Sequence, residues 1–218
     1  MVPKNTQRNI FRTWDDYFIP GTFVLKNKFT RPDMPFGETD PDKLQTLENV
    51  ATNIRLQALF DDPIQGQFDY AHMKAIHKHV FQDVYEWAGQ ERVGPRGFMN
   101  KNGHIYYAAG PTLTEAAEVQ YAKLSDKQFL QGLPIEKFVV ELAECWGEIN
   151  VIHSFREGNT RTQFVFFAQL VELAGYRMDT SQFSLGSPLR DEFVQARFDS
   201  QDNGSNARLA AVLSKVVS

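Results

Sequence analysis

Between Asp40 and Gly175, apolar residues recur mostly three and four positions apart, the spacing of helices with one buried side. Asp40-Pro41 reads as the cap and first turn of a helix, and Leu44, Leu47, Val50, Ile54 and Leu56 give that helix one apolar face. A second helix is predicted from about Asp69 to Trp87, with Met73, Ile76, Val80, Phe81 and Val84 on one side and Gly89 just past its end. The same period returns over Thr114–Leu124 and over Pro134–Ile149, where Pro134 suits a first turn. A further helix opens near Asn159 and ends at Gly175, and shorter ones fit 187–199 and 206–216. Phe164, Val165, Phe166, Phe167, Leu170, Val171, Leu173 and Ala174 make the Asn159 helix apolar nearly all round, which places it at the centre of the body.

One stretch breaks the period. Phe-Met precedes and Ile-Tyr-Tyr follows the tetrad Asn100-Lys101-Asn102-Gly103, and Asn-Gly is the strongest short hairpin signal because both residues tolerate positive φ. A lone hairpin is marginal in water, so this one must lie on the helical body or on something it binds. Residues 1–40 are irregular, broken by Pro20, Gly21, Pro32, Pro35 and Gly37; Phe11, Trp14, Tyr17 and Phe18 mark them as an arm that packs on the body. The fold class is mainly α, a helical bundle with a β-hairpin. It is organised as an arm (1–40) and a body (41–218), with core helices and hairpin at about 41–175 and C-terminal helices within 187–216.

Composition narrows the function. The chain has 218 residues and a formal charge of −4 with no strongly basic block, so no electrostatic footprint for nucleic acid is expected. The apolar runs are too short and interrupted to cross a bilayer, and the first residues lack the apolar region of a secretory signal. These features point to a protein made in a reducing cytoplasm, with export left open to routes that read no N-terminal signal. Cys145, the only cysteine, excludes an internal disulfide; on an apolar helical pattern it reads as a small buried hydrophobe rather than a nucleophile. His72, His77 and His79 lack the i, i+4 spacing of a helical metal pair and read as a solvated helix face rather than a zinc site.

The chemistry concentrates in His-Ser-Phe-Arg-Glu-Gly-Asn-Thr-Arg-Thr-Gln, residues 153–163. His153 falls at the C-terminal end of a helix ending near Val151, where the partial negative charge favours the imidazolium, so it can take a proton near neutral pH. Gly158-Asn159 is a turn with Asn159 as N-cap, and free N–H groups at the start of the next helix attract phosphate. Arg156 and Arg161 add positive charge. Glu157 is the loop's only carboxylate, and magnesium prefers one or two carboxylates together with phosphate oxygens and water. Base, metal ligand, anion cradle and arginine clamp outline a phosphoryl- or nucleotidyl-transfer site. The bland alternative stands beside it: a hydrogen-bonded structural histidine followed by an ordinary Glu-Gly-Asn loop and a ligand-free helix start.

The order of these residues resembles the Fic signature, His-x-Phe-x-Asp/Glu-Gly-Asn-Gly-Arg-x-x-Arg: His153, Phe155, Glu157, Gly158, Asn159 and Arg161 match it. Asp83 to Arg92 is similar to the family's lead-in to its flap hairpin, and Tyr17 to Lys28 to the opening of Fic domains in effectors delivered by type IV secretion. The resemblance implies a Fic fold and transfer of AMP from ATP to a Ser, Thr or Tyr hydroxyl of a target protein. On that reading His153 is the base, Phe155 anchors the loop, and Glu157 binds Mg²⁺. Gly158, Asn159 and the Thr160 backbone form the anion hole, and Arg161 grips the outer phosphates. The hairpin around Asn100–Tyr106 is the flap, pairing with the target's backbone, with Lys101, Asn102 and Gly103 approaching the nucleotide.

Two positions depart from the signature. Thr160 replaces the second glycine, which is awkward if that residue needs positive φ and harmless if it is simply helical. Phe164 replaces the final arginine, removing a cation for the terminal phosphate. Glu157-Gly158-Asn159 is the loop form that goes with AMP transfer. Transfer of another phosphate-bearing group, or a non-catalytic binding module of the same shape, are the alternatives. The family's inhibitory pattern, Ser/Thr-x-x-x-Glu-Gly/Asn, is absent; Thr114 to Glu118 has the first spacing, but Val119 follows. The expected restraint is therefore a separate small antitoxin-like protein. Similarity to secreted effectors implies a bacterial cytoplasmic protein, translocated into host cells, with host proteins such as small GTPases as targets.

Overall fold

A computed structural model describes residues 11–95, 97–101, 103–184 and 186–218. Among the described residues the helices are α1 (Pro41–Asp61), α2 (Tyr70–Phe81), α3 (Pro111–Asp126), α4 (Ile135–Ile152), α5 (Asn159–Leu173), α6 (Pro188–Asn203) and α7 (Ala207–Leu213). The hairpin forms as expected: β1 (Met99–Lys101) pairs antiparallel with β2 (His104–Tyr106), in the register Met99↔Tyr106, Asn100↔Ile105 and Lys101↔His104. Gly103 in its turn has φ 86°.

α5 runs through the core as its pattern predicts, except at its end, where Leu173 is exposed. Phe166, Phe167, Leu170 and Val171 are fully buried, and Trp146 of α4 stacks on Phe167 at 4.4 Å. Cys145 is buried on α4, where burial pushes its thiol up to about 11, so it is an unreactive hydrophobe. The arm packs on the body through Tyr17, whose ring meets Trp87 edge-on at 5.6 Å, and through Lys28 N–H, which donates to Val84 O at 2.8 Å.

Three expectations need correction. α1 does not bury the stripe chosen from its apolar residues: Leu47, Val50 and Ile54 are exposed, while Leu44, Glu48, Thr52 and Leu59 face inward. Polar partners inside the body, described below, override the hydrophobic pattern. α2 stops at Phe81, short of Trp87, because Val84, Tyr85 and Trp87 are all buried and such close neighbours cannot share one helix face. His72 and His77 are buried rather than solvated.

Candidate active site

The loop from His153 to Gly158 joins α4 to α5 and is held from every side. His153 closes α4 in the left-handed region (φ 51°, ψ 58°), a conformation that a non-glycine residue keeps only when its surroundings impose it. Arg92 does much of this: its Nε donates to His153 O at 2.7 Å, its Nη2 to Tyr107 O at 2.5 Å, and its backbone N–H to Ser154 O at 2.8 Å. A cation at a helix C-terminus also meets the negative end of the macrodipole. Asn159 laces the loop to itself, Oδ1 accepting from Phe155 N–H at 2.9 Å and Nδ2 donating to Phe155 O at 2.7 Å.

Beneath the loop lies His77, fully buried and stacked on Phe155 at 3.8 Å. Gly89 N–H donates to its Nδ1 at 2.7 Å, so the ring proton sits on Nε2, which donates to Glu157 O at 3.0 Å. The neutral ring is thereby satisfied at both nitrogens. Gly158 must be glycine twice over: its φ is 82°, and a Cβ there would lie 2.2 Å from Phe81. Gly158→Ala is expected to cost about 3 kcal/mol in strain and overpacking, lowering Tm by about 10 °C. A thermal melt unchanged from wild type would refute this loop geometry.

Gly158, not Asn159, is the N-cap of α5, since the Asn159 side chain is occupied with Phe155. The first helical bond runs from Thr162 N–H to Gly158 O at 3.1 Å, so the N–H groups of Asn159, Thr160 and Arg161 have no carbonyl of the helix to use. That end attracts anions. Thr160 lies within α5 with negative φ, so its side chain brings no backbone strain.

His153 is buried and its Nδ1 has no hydrogen-bond partner among the described residues. Burial holds its pKa well below the ordinary value, and the charges of Lys101, Arg197 and Arg92 lower it further. This reverses the expectation that the helix end favours the imidazolium: desolvation and neighbouring cations outweigh the dipole. The ring is neutral at physiological pH, the form a base requires. Tyr106 of the hairpin packs over it with ring centroids 4.2 Å apart.

Around this centre, Lys101 Nζ lies 3.7 Å from Glu157 Oε2, bringing hairpin and loop together. Glu157 Oε1 accepts from Gly158 N–H at 3.1 Å. Gly103 is exposed at the hairpin tip, and Asn102 lies outside the described residues. Arg161 is paired with Glu48 of α1, donates to Thr52 Oγ1 at 3.1 Å and lies over the Phe81 ring; Glu48 also accepts from the Tyr85 hydroxyl. Arg156 turns away from the site, its guanidinium stacked over Trp14 at 4.3 Å, so its charge serves the arm. No group of three His, Cys, Asp or Glu fit to hold a metal occurs among the described residues. A single half-exposed carboxylate at Glu157 suits magnesium held mostly by phosphate oxygens and water, not a cage made wholly of protein.

Several site residues lie outside what the motif indicated. His77 sits on the apolar stripe of α2 beside Met73, Ile76, Val80 and Phe81, a position that signals burial. Arg92 follows the lead-in to the hairpin. α6 carries no signal in its polar sequence, yet it braces the hairpin: Gln201 Nε2 donates to Ile105 O at 2.5 Å, and His104 stacks on Phe198 at 3.9 Å while pairing with Asp202 at 2.8 Å.

A helical bundle that sets a histidine, a glycine-asparagine turn and a helix start beneath a two-stranded flap defines a Fic domain. The Fic/DOC family model matches residues 67–171, and the chain belongs to this family. It is 34% identical over 93% of its length to the probable protein adenylyltransferase y4lH of Sinorhizobium fredii, of which it covers 96%. It is 33% identical over 91% of its length to the protein adenylyltransferase VbhT of Bartonella schoenbuchensis, of which it spans only 38%. The fold superposes with TM-score 0.81 on the N-terminal Fic domain of a VirB-translocated Bep effector protein from Bartonella quintana, solved with bound ADP, at 25% identity over 93% of this chain and 94% of that one.

Proposed function

We propose that this chain is a protein adenylyltransferase that moves AMP from ATP to a hydroxyl of a target protein, with His153 as the base. The observation that carries the reading is a neutral, buried imidazole at the end of α4, beside the free N–H groups of α5. His153 accepts the hydroxyl proton as the oxygen forms its bond to the α-phosphorus. The bond from that phosphorus to the oxygen bridging to the β-phosphate breaks, and pyrophosphate leaves. The N–H groups of Asn159, Thr160 and Arg161 receive the phosphates, with Gly158 keeping the turn open and Lys101 and Gly103 approaching from the hairpin. Glu157 would hold Mg²⁺, which when bound neutralises charge on the phosphates. Arg161 reaches the outer phosphates from its place beside Glu48.

The target docks on the flap. The β2 edge is tied to α6 through Ile105 O, which leaves β1 as the edge for an added strand. Host small GTPases are the target class to which the likeness to secreted effectors points, with synthesis in a bacterial cytoplasm and type IV translocation as the route. The same reading assigns restraint to a small separate antitoxin-like partner, since Glu118, the nearest approach to an inhibitory glutamate, is exposed on α3. No described helix is long and apolar enough to cross a membrane.

The test is label transfer from ATP to proteins of a target-cell lysate. Label from the α-phosphate and none from the γ-phosphate is expected, falling about a hundredfold in Glu157→Gln at limiting magnesium. Label from the γ-phosphate alone would replace this reading with a kinase.

A further inference from the structure

α5 and α6 meet where Phe164 packs on Phe193, ring centroids 4.9 Å apart. One turn along α6 from Phe193, Arg197 lays its guanidinium 5.1 Å from that ring and donates from Nη1 to Thr160 Oγ1 at 3.2 Å. Thr160 stands four residues before Phe164 on the same face of α5. Helical side chains lean toward the N-terminus of their helix, so an arginine at position 164 would carry its guanidinium up to the level of residue 160. Arg197 delivers a guanidinium to that level from the neighbouring helix. Both departures from the signature then belong to one arrangement. The Phe164 ring backs the Phe193 ring on which Arg197 rests, and the Thr160 hydroxyl, absent from glycine, receives it.

Arg197 is also a buried cation without a counterion among the described residues. It is 8% exposed, its Nε is buried and unpartnered, and no carboxylate lies within ion-pair distance of it among the described residues. A desolvated charge left unpaired is costly, and such a group is kept where an anion completes it. The anion-attracting start of α5 is its immediate neighbour, and His153 lies within reach of its field.

We propose that Arg197 is a phosphate-binding residue of the nucleotide site, reaching from α6 to the outer phosphates of ATP in place of the arginine missing at position 164. This rests on the reading of the loop as an ATP site. ATP and ADP would gain a charge-assisted contact that AMP, which has no outer phosphate, does not use.

Calorimetric titration of the whole chain with ATP, ADP and AMP in magnesium tests it. Arg197→Gln is expected to weaken ATP and ADP by about tenfold to a hundredfold and AMP by less than about threefold. Adding Phe164→Arg to Arg197→Gln should recover most of the lost ATP affinity, since the second cation returns from the other helix. Arg197→Met checks the fold: removing an uncompensated buried charge should leave the melting temperature of the unliganded protein unchanged or higher, while the shift on adding ATP shrinks. Equal loss of AMP and ATP affinity in Arg197→Gln, or a clear drop in the unliganded Arg197→Met melt, would mark a structural strut and overturn the inference. Wild-type ATP binding with Arg197→Gln unchanged overturns it alone. No ATP binding by wild type overturns the nucleotide-site reading and this inference with it.

Discussion

Replacing His153 by alanine should lower AMP transfer by about a thousandfold while ATP affinity stays within about threefold, because a general base acts on the transition state and contributes little to ground-state nucleotide binding. Burial, with the charges of Lys101, Arg197 and Arg92 behind it, keeps the ring unprotonated. The acid limb of kcat/KM, which reports the free protein, should therefore lie below the ordinary histidine value of 6.5. Lys101→Met removes one of the depressing charges and should move that limb upward. Transfer by His153→Ala at wild-type rate would remove histidine from the mechanism, and an acid limb above pH 6.5 would overturn the depressed pKa.

His77 should govern stability in acid. Its folded pKa is depressed to about 3, first by burial. The unfolded chain takes up the proton near pH 6.5, and the folded one resists it. The stability contributed by the neutral ring is therefore complete above about pH 6.5 and lost as pH falls toward 3, at about 1.4 kcal/mol per unit. His77→Ala leaves the Gly89 N–H and Glu157 O unpaired and a cavity against Phe155, an expected cost of about 3–5 kcal/mol at pH 7. The gap between the two proteins should narrow as pH drops. Urea unfolding at several pH values measures both effects, and parallel stability profiles for the two proteins would refute the assignment. Because His77 grips the carbonyl of Glu157, the same substitution should also loosen the carboxylate proposed to hold magnesium.

Local chemistry explains which elements could be read along the chain. Gly103, between strand-prone residues, helps set the hairpin register, since few other residues accept its positive φ. Asp40-Pro41 starts α1 through a cap that needs only its own neighbours, Asp40 Oδ1 accepting from Asp42 and Lys43 N–H. The motif loop is legible for the same reason: its glycine and asparagine serve a turn closed within a few residues.

Where the reading failed, distant partners decided. α1 presents Glu48 and Thr52 inward, where Arg161 and Tyr85, far along the chain, pair with them, since a carboxylate buried there needs partners; Leu47, Val50 and Ile54 are left exposed. Asn159 gives up capping because Phe155 offers it two bonds.

The amino-acid order by itself determined the helical bundle, the hairpin and the motif loop proposed to carry the chemistry, because periodicity, turn preference and a contiguous motif are short-range properties. Tertiary structure alone decided the charge state of His153, the burial of His77 beneath the loop and the arrival of Arg197 at Thr160. Each depends on desolvation or on groups brought together across long stretches of chain, and neither is written in the spacing of neighbours.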